Sequence, residues 1–274
     1  MPNSAPSEHE LYSMLDDCKS YDSYKHRIEE GFTFMGMGIA GPIFLFQTYD
    51  FSWNPVNWRE NIRIMKDGYR ICGSLGVNMR IVDDLMDGDA MTQVQDRESL
   101  WNNYIESLKA GELPEPIETE DEIIAYRAGQ ILHDYYKEDI IDELIDHIQN
   151  LKELLKEEDK STEEGYRRYA EGFGGEYGKT LLTALKNIES FNPTKRNYEF
   201  VNDYGLATQI ADDRFDDDIG LDKSIEKEIY KEYLKRLTSH KGLVPQIIGR
   251  TGLHIPQVYN FLMFSGRIVE KIKP

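Results

Sequence analysis

Asp139-Ile140-Ile141-Asp142-Glu143-Leu144-Ile145-Asp146-His147-Ile148-Gln149-Asn150-Leu151-Lys152-Glu153-Leu154-Leu155 is the stretch that decides the fold class. Its apolar residues fall at 140, 141, 144, 145, 148, 151, 154 and 155, with Asp, Glu and Lys between them. Steps of three and four put them on one face of a helix, so the segment reads as an amphipathic α-helix. Tyr166 to Leu185 and Glu199 to Phe215 repeat the spacing. Period-two alternation is scarce, and breakers sit between the periodic segments: Pro42, Asn54-Pro55, Gly111 to Pro116, Asn192-Pro193 and Gly242 to Pro245. No repeat of solenoid length is visible. The pattern predicts an all-α protein of about ten helices, the number following from ordinary helix lengths. It is organised as a polar N-terminal segment over 1–30 and one helical domain over 31–274.

The chain has 274 residues, 40% of them hydrophobic and 11% aromatic, with 50 Asp and Glu against 32 Lys and Arg and a net charge of −18. Such a chain has the apolar content to bury a core and is not a disordered acidic tail. Its charge argues against a nucleic-acid partner and against docking on anionic lipid. Two cysteines, Cys18 and Cys72, form no zinc-ligand spacing and no disulfide framework. Met1 to Glu10 lacks the basic and apolar regions of a signal peptide, so a reduced, cytoplasmic location is expected. Gly31 to Phe46 is the most apolar stretch. It is shorter than the ~20 residues of a membrane span and holds four glycines, so it reads as a buried helix rather than a membrane segment.

Two acidic runs stand apart from the general excess of charge. Arg80-Ile81-Val82-Asp83-Asp84-Leu85-Met86-Asp87 closes an apolar helical stretch, and Gln209-Ile210-Ala211-Asp212-Asp213-Arg214-Phe215-Asp216 closes another. Asp83 and Asp87, like Asp212 and Asp216, lie one turn apart on a helix face. Carboxylates at that spacing repel, and the negative end of the helix dipole adds to the cost. A cation between their oxygens reverses the sign. Magnesium suits the pattern, because it takes hard oxygen ligands and is commonly held by one or two carboxylates together with substrate phosphates. An EF-hand is excluded by register: counting from Asp216, Gly220 falls at loop position 5 rather than 6, and counting from Asp87, Met91 falls at position 5. The competing reading of either run is a solvated helix end.

The paired Asp-Asp-x-x-Asp runs resemble those of the class I isoprenoid synthases. Arg80-x-x-Asp83-Asp84-x-x-Asp87 is similar to the first motif of the squalene/phytoene synthase branch. Tyr166-Arg167-Arg168-Tyr169-Ala170-Glu171-Gly172-Phe173-Gly174-Gly175 keeps that branch's Tyr, Tyr, Gly and Gly at every third position. The second run, Gln209-Ile210-x-Asp212-Asp213-x-x-Asp216, looks more like the head-to-tail polyprenyl synthases. The Gly-Gly-Lys-x-x-Arg segment of those enzymes, and the Asn-Asp-x-x-Ser-x-x-x-Glu of terpene cyclases, are not present. The likeness spans roughly residues 66–222.

The resemblance implies a single-domain helical bundle of the isoprenoid synthase type with a central active-site cavity. It implies Mg2+ held by Asp83, Asp84, Asp87, Asp212, Asp213 and Asp216, and a prenyl diphosphate substrate that ionises with release of pyrophosphate. Prenyl transfer of the squalene/phytoene type leads; cyclisation of one prenyl diphosphate and a non-enzymatic helical scaffold with acidic caps are the alternatives. Asp83, Asp87, Asp212, Asp216 and Tyr166 are the expected catalytic residues. Arg80, Tyr169, Arg214, Lys223, Phe173, Gly172 and Gly175 are the expected substrate-binding ones. Arg80, three and four residues before Asp83 and Asp84, is placed to orient carboxylates. An allylic cation needs a dry aromatic wall, for which Phe32, Phe34, Phe44, Phe46, Tyr69, Tyr166, Tyr169, Phe173 and Phe261 are candidates; ordinary core packing is the alternative for each. Arg250 and Arg267 are further basic candidates. Gly172 and Gly175 fit close helix packing or space for a prenyl chain. His133, His147, His240 and His254 form no evident constellation, and no G-x-S-x-G or phosphate-binding glycine loop occurs. A homodimer is left open.

Overall fold

The computed structural model describes residues 5–14, 28–29, 31–32, 57–87, 97–112, 119–157, 160–216, 220–242, 245–246 and 271. The protein is all-helical over these residues. Eight helices run in chain order: α1 (Glu8–Met14), α2 (Trp58–Asp87), α3 (Arg97–Ala110), α4 (Glu120–Tyr135), α5 (Glu138–Glu157), α6 (Glu163–Leu185), α7 (Lys195–Asp216) and α8 (Lys223–Ser239). No strand occurs among the described residues, and no helix among them is long and apolar enough to cross a membrane.

Local chemistry sets several of the boundaries. Thr119 and Glu122 form a reciprocal capping box at the start of α4, Thr162 accepts from the Gly165 N–H at the start of α6, and Asp222 accepts from the Ser224 N–H at the start of α8. Each satisfies an amide that the first helical turn leaves without a partner. Gly111 takes φ of 67° just after α3, a backbone conformation that favours glycine and ends the helix there.

Residues 71–79 of α2 are buried on every side. The polar groups this brings inside are paired. Asn78 accepts from the Tyr104 hydroxyl at 3.1 Å, and the Tyr136 hydroxyl donates to the Ile71 carbonyl at 2.5 Å, as buried polar groups must. α1 packs on α2, and Ala5, Leu11, Ile28 and Phe32 join the core. The Phe32 ring meets Tyr69 edge-on at 5.0 Å, so both aromatics pack into the interior here. Beyond Phe32, the apolar stretch to Phe46, with Phe34 and Phe44, lies outside the described residues.

The α5 stripe is buried as its periodicity demands, at Ile140, Ile141, Leu144, Ile145, Ile148 and Leu151. α6 packs against α5, α7 and α2. Its closest partner is α7, and glycine makes the approach possible. A Cβ on Gly174 would stand 2.8 Å from the Gly205 carbonyl, one on Gly205 would overlap the Gly174 carbonyl oxygen, and one on Gly178 would overlap the Val201 carbonyl. The two helices therefore meet backbone to backbone. The same helix, α6, touches both acid-ended helices.

Candidate functional site

The first acidic run ends α2. Arg80 Nη1 donates to Asp83 Oδ2 at 2.5 Å, and Arg80 Nη2 lies 2.9 Å from Asp84 Oδ1. The i, i+3 and i, i+4 spacing puts the guanidinium over both carboxylates. Asp84 is only 3% exposed, so its charge sits inside the protein against a cation, as a buried carboxylate requires. Asp83 is partly exposed and faces outward from the same turn. Asp87 is the last residue of α2; its side chain is outside the described set.

The second run ends α7, and its organisation comes from across a helix interface. The Tyr166 hydroxyl of α6 donates to Asp213 Oδ2 at 2.7 Å, and Gln209 Nε2 donates to Asp213 Oδ1 at 2.7 Å. Gln209 also reaches the Tyr169 hydroxyl at 3.4 Å. Burial above all, then the Asp213 carboxylate, pushes the Tyr166 hydroxyl far above the ordinary tyrosine range, so it stays protonated and remains a donor. Tyr166, Tyr169 and Phe173 occupy successive turns of α6 and form a buried aromatic ladder. The first two rings are 6.2 Å apart, and Tyr169 stacks on Phe173 at 5.5 Å. Lys160, in the turn before α6, sets its ammonium 3.8 Å above the Tyr169 ring. That ring face binds a cation in this structure. Asp212 and Asp216 lie in α7, their side chains outside the described set.

Tyr166, Tyr169, Phe173 and Asp213 thus come together, and Arg80, Asp83 and Asp84 form a second group. The remaining expected residues have other contacts. Arg214 lies over the Tyr230 ring of α8 at 4.7 Å. Lys223 approaches Glu226 at 3.4 Å. A Cβ at Gly172 would meet Leu154 of α5, and one at Gly175 would meet Asn202 of α7, both at 2.7 Å. Both glycines therefore sit at helix contacts. Arg250, Phe261 and Arg267 lie outside the described residues.

Three of the histidines bond to neighbouring helices or their ends. His147 Nδ1 sits 2.8 Å from Glu176 and its Nε2 3.3 Å from Thr183, joining α5 to α6, while Lys186 closes the same network on Glu143. His240 pairs with Asp203, and His133 meets the Leu108 carbonyl. His254 lies outside the described residues.

The donor set fits magnesium in kind. Asp83, Asp84 and Asp213 offer hard oxygens, and all three are held by arginine, tyrosine or amide partners. Among the described residues no group of three or more His, Cys, Asp or Glu converges on one point; the side chains of Asp87, Asp212 and Asp216 lie outside that set. Sequence reasoning missed Gln209 as the holder of Asp213, Lys160 on Tyr169, and the Gly174, Gly178 and Gly205 contacts. The one local signal for these was the small-residue spacing Gly174-x-x-x-Gly178.

Against known proteins, the chain matches no family model, no curated protein and no solved structure.

Proposed function

We propose that the protein is a class I isoprenoid synthase that ionises an allylic prenyl diphosphate with release of pyrophosphate, in prenyl transfer of the squalene/phytoene type. The observation that carries this is the tie between α6 and α7. Tyr166, in the Tyr-x-x-Tyr-x-x-Gly-x-x-Gly segment, bonds directly to Asp213 of the second Asp-Asp-x-x-Asp run. Two segments selected from sequence for one reaction are in contact although 47 residues apart. In this reading the bundle has the isoprenoid synthase arrangement around a central cavity, and the protein works in the cytoplasm.

The chain's own residues have distinct tasks. Asp83, Asp87, Asp212 and Asp216 would hold Mg2+, with Asp84 and Asp213 beside them; bound magnesium supplies neutralisation of the charge that develops on the departing diphosphate. Arg80 fixes the first pair of carboxylates. Tyr166 and Gln209 fix Asp213, so the second run does not have to reorganise as charge develops. Tyr166, Tyr169 and Phe173 would form an aromatic wall that keeps water from the allylic cation, with one face of Tyr169 already held by Lys160.

Incubation with farnesyl or geranylgeranyl diphosphate and magnesium tests the reading. The expected result is pyrophosphate together with a doubled prenyl chain. A cyclised hydrocarbon or alcohol would favour the terpene-cyclase alternative, for which the chain's departures from the squalene/phytoene second motif speak. No pyrophosphate from any allylic diphosphate would leave the scaffold reading.

A further inference from the structure

Among the described residues, four cations stand over aromatic rings. Lys152 lies over Trp101 but also meets Glu98 at 3.0 Å, and Arg236 lies over Tyr233 but also meets Asp203 at 2.8 Å. Lys160 and Arg214 have a ring and, among those residues, no carboxylate. Arg214 is exposed, whereas Lys160 is half-buried. The acids that follow Lys160, Glu163 and Glu164, are taken by Arg167 and Arg168, each at 3.0 Å. A ring face attracts an ammonium, but it does not take up the three N–H donors that the group carries. Lys160 therefore keeps its charge and its donors for another partner.

The ring beneath it is tied to the second acidic run. Tyr169 is 4% exposed. Its hydroxyl lies 3.4 Å from Gln209 Nε2, and the same nitrogen donates to Asp213 Oδ1 at 2.7 Å. One ring and one amide separate the ammonium from Asp213. A Cβ on Gly220 would stand 4.0 Å from the Ser161 Cα, so the turn that carries Lys160 runs beside the chain leaving α7. The four-carbon stem of a lysine is flexible enough to move the ammonium without moving the backbone. While the ammonium is on Tyr169, a second cation on that face meets like charge.

We propose that Lys160 is a stopper released by diphosphate: its ammonium covers the Tyr169 face in the free protein and swings to the phosphate oxygens when a diphosphate binds at the α7 acidic end, which opens that face to the allylic cation. The inference rests on the diphosphate reading of that end. The direction of the swing follows from the strength of the two contacts. Phosphate oxygens accept the ammonium N–H groups in charge-assisted hydrogen bonds, whereas the ring offers only the attraction of its quadrupole. The aromatic wall is thus uncovered only by a substrate that brings a diphosphate.

Nuclear magnetic resonance of the full chain carrying 13C-labelled lysine tests this, first with magnesium chloride alone and then with inorganic pyrophosphate added. Lys160→Ala and Lys160→Gln each assign the Lys160 signal by its loss. Protons held above an aromatic ring are shifted upfield by the ring current. The expected Lys160 ε-methylene signal is upfield in the free protein and with magnesium alone, and returns to the ordinary lysine position as pyrophosphate binds. Binding is read separately as a rise in melting temperature. In Lys160→Ala the pyrophosphate concentration giving half that rise should increase about tenfold, the scale of losing one hydrogen bond to a charged group. An upfield signal that stays in place while the wild-type melting temperature rises overturns the stopper and leaves the diphosphate reading intact, and so does an unchanged pyrophosphate response in both variants. A Lys160 signal at the ordinary position in the free protein overturns the proposal at its first step. No rise in melting temperature in the wild type overturns the proposal and the diphosphate reading together.

Discussion

The two acid-rich helix ends solve one electrostatic problem in different ways. At the end of α2 the answer is local: Arg80 lies on the same helix and covers Asp83 and Asp84 within one turn. At the end of α7 the answer is in part tertiary: Asp213 receives Tyr166 from α6 as well as Gln209 from its own helix. The first arrangement holds as long as α2 is helical. The second holds only while α6 and α7 stay in register. A site built this way ties the geometry of one motif to the packing of the bundle, and small changes at the α6–α7 contact should reach Asp213 while leaving Arg80 and its partners untouched.

The largest effect on that contrast is expected from Gly205→Ala. The new methyl would run into the Gly174 carbonyl, where backbone faces backbone and no side chain can turn aside. We expect a loss of about 3 kcal/mol or more in denaturant unfolding, and separation of Tyr166 from Asp213. Gly220→Ala is the control, because its methyl would find nothing nearer than 4.0 Å among the described residues; it should unfold like the wild type.

Arg80→Ala attacks the other end. It leaves the buried Asp84 without its guanidinium, and breaking such a pair should cost about 3 kcal/mol. Urea unfolding measures this, and the Tyr166 environment should be unaltered. Equal damage to both ends would contradict the separation drawn here.

Tyr166→Phe should be milder. It removes one buried hydrogen bond to a carboxylate, worth about 1.5 to 3 kcal/mol at most. Part of that loss is offset because Asp213 keeps Gln209. Turnover should fall further than stability does, since the hydroxyl orients a charged group in the site. A stability loss with full activity would remove Tyr166 from the site.

These contrasts also mark where sequence stopped being informative. The α5 stripe was legible because periodicity needs only neighbouring residues, and every stripe position from Ile140 to Leu151 is buried. Arg80 was legible for the same reason. Tyr166 was singled out by resemblance, but its bond to Asp213 spans 47 residues, and no local rule predicts such a partner. Lys160 lies in the turn before α6, and its position over Tyr169 depends on how the chain turns into that helix.

The smallest expected effect lies away from both ends, and it calibrates them. His147 above all, then Lys179, holds the Glu176 carboxyl down to about 2, against partial burial that opposes this. Because the folded value lies below that of the unfolded chain, the group contributes stability at pH above about 4.5 and loses it as pH falls toward 2. Thermal unfolding of Glu176→Gln should show a shallower loss between those values than the wild type. An identical acid slope would mean the α5–α6 clasp contributes nothing.

The central claim is that the two acidic ends serve one diphosphate chemistry. Release of pyrophosphate from farnesyl or geranylgeranyl diphosphate in the presence of magnesium, in wild type and in Asp83→Asn and Asp213→Asn, tests it most directly. The account predicts magnesium-dependent release in the wild type and a fall of about a hundredfold or more in each variant, the scale of removing one preorganised charge from a reacting site, with helical content unchanged. Release that is absent in the wild type, or equal in all three proteins, would contradict it.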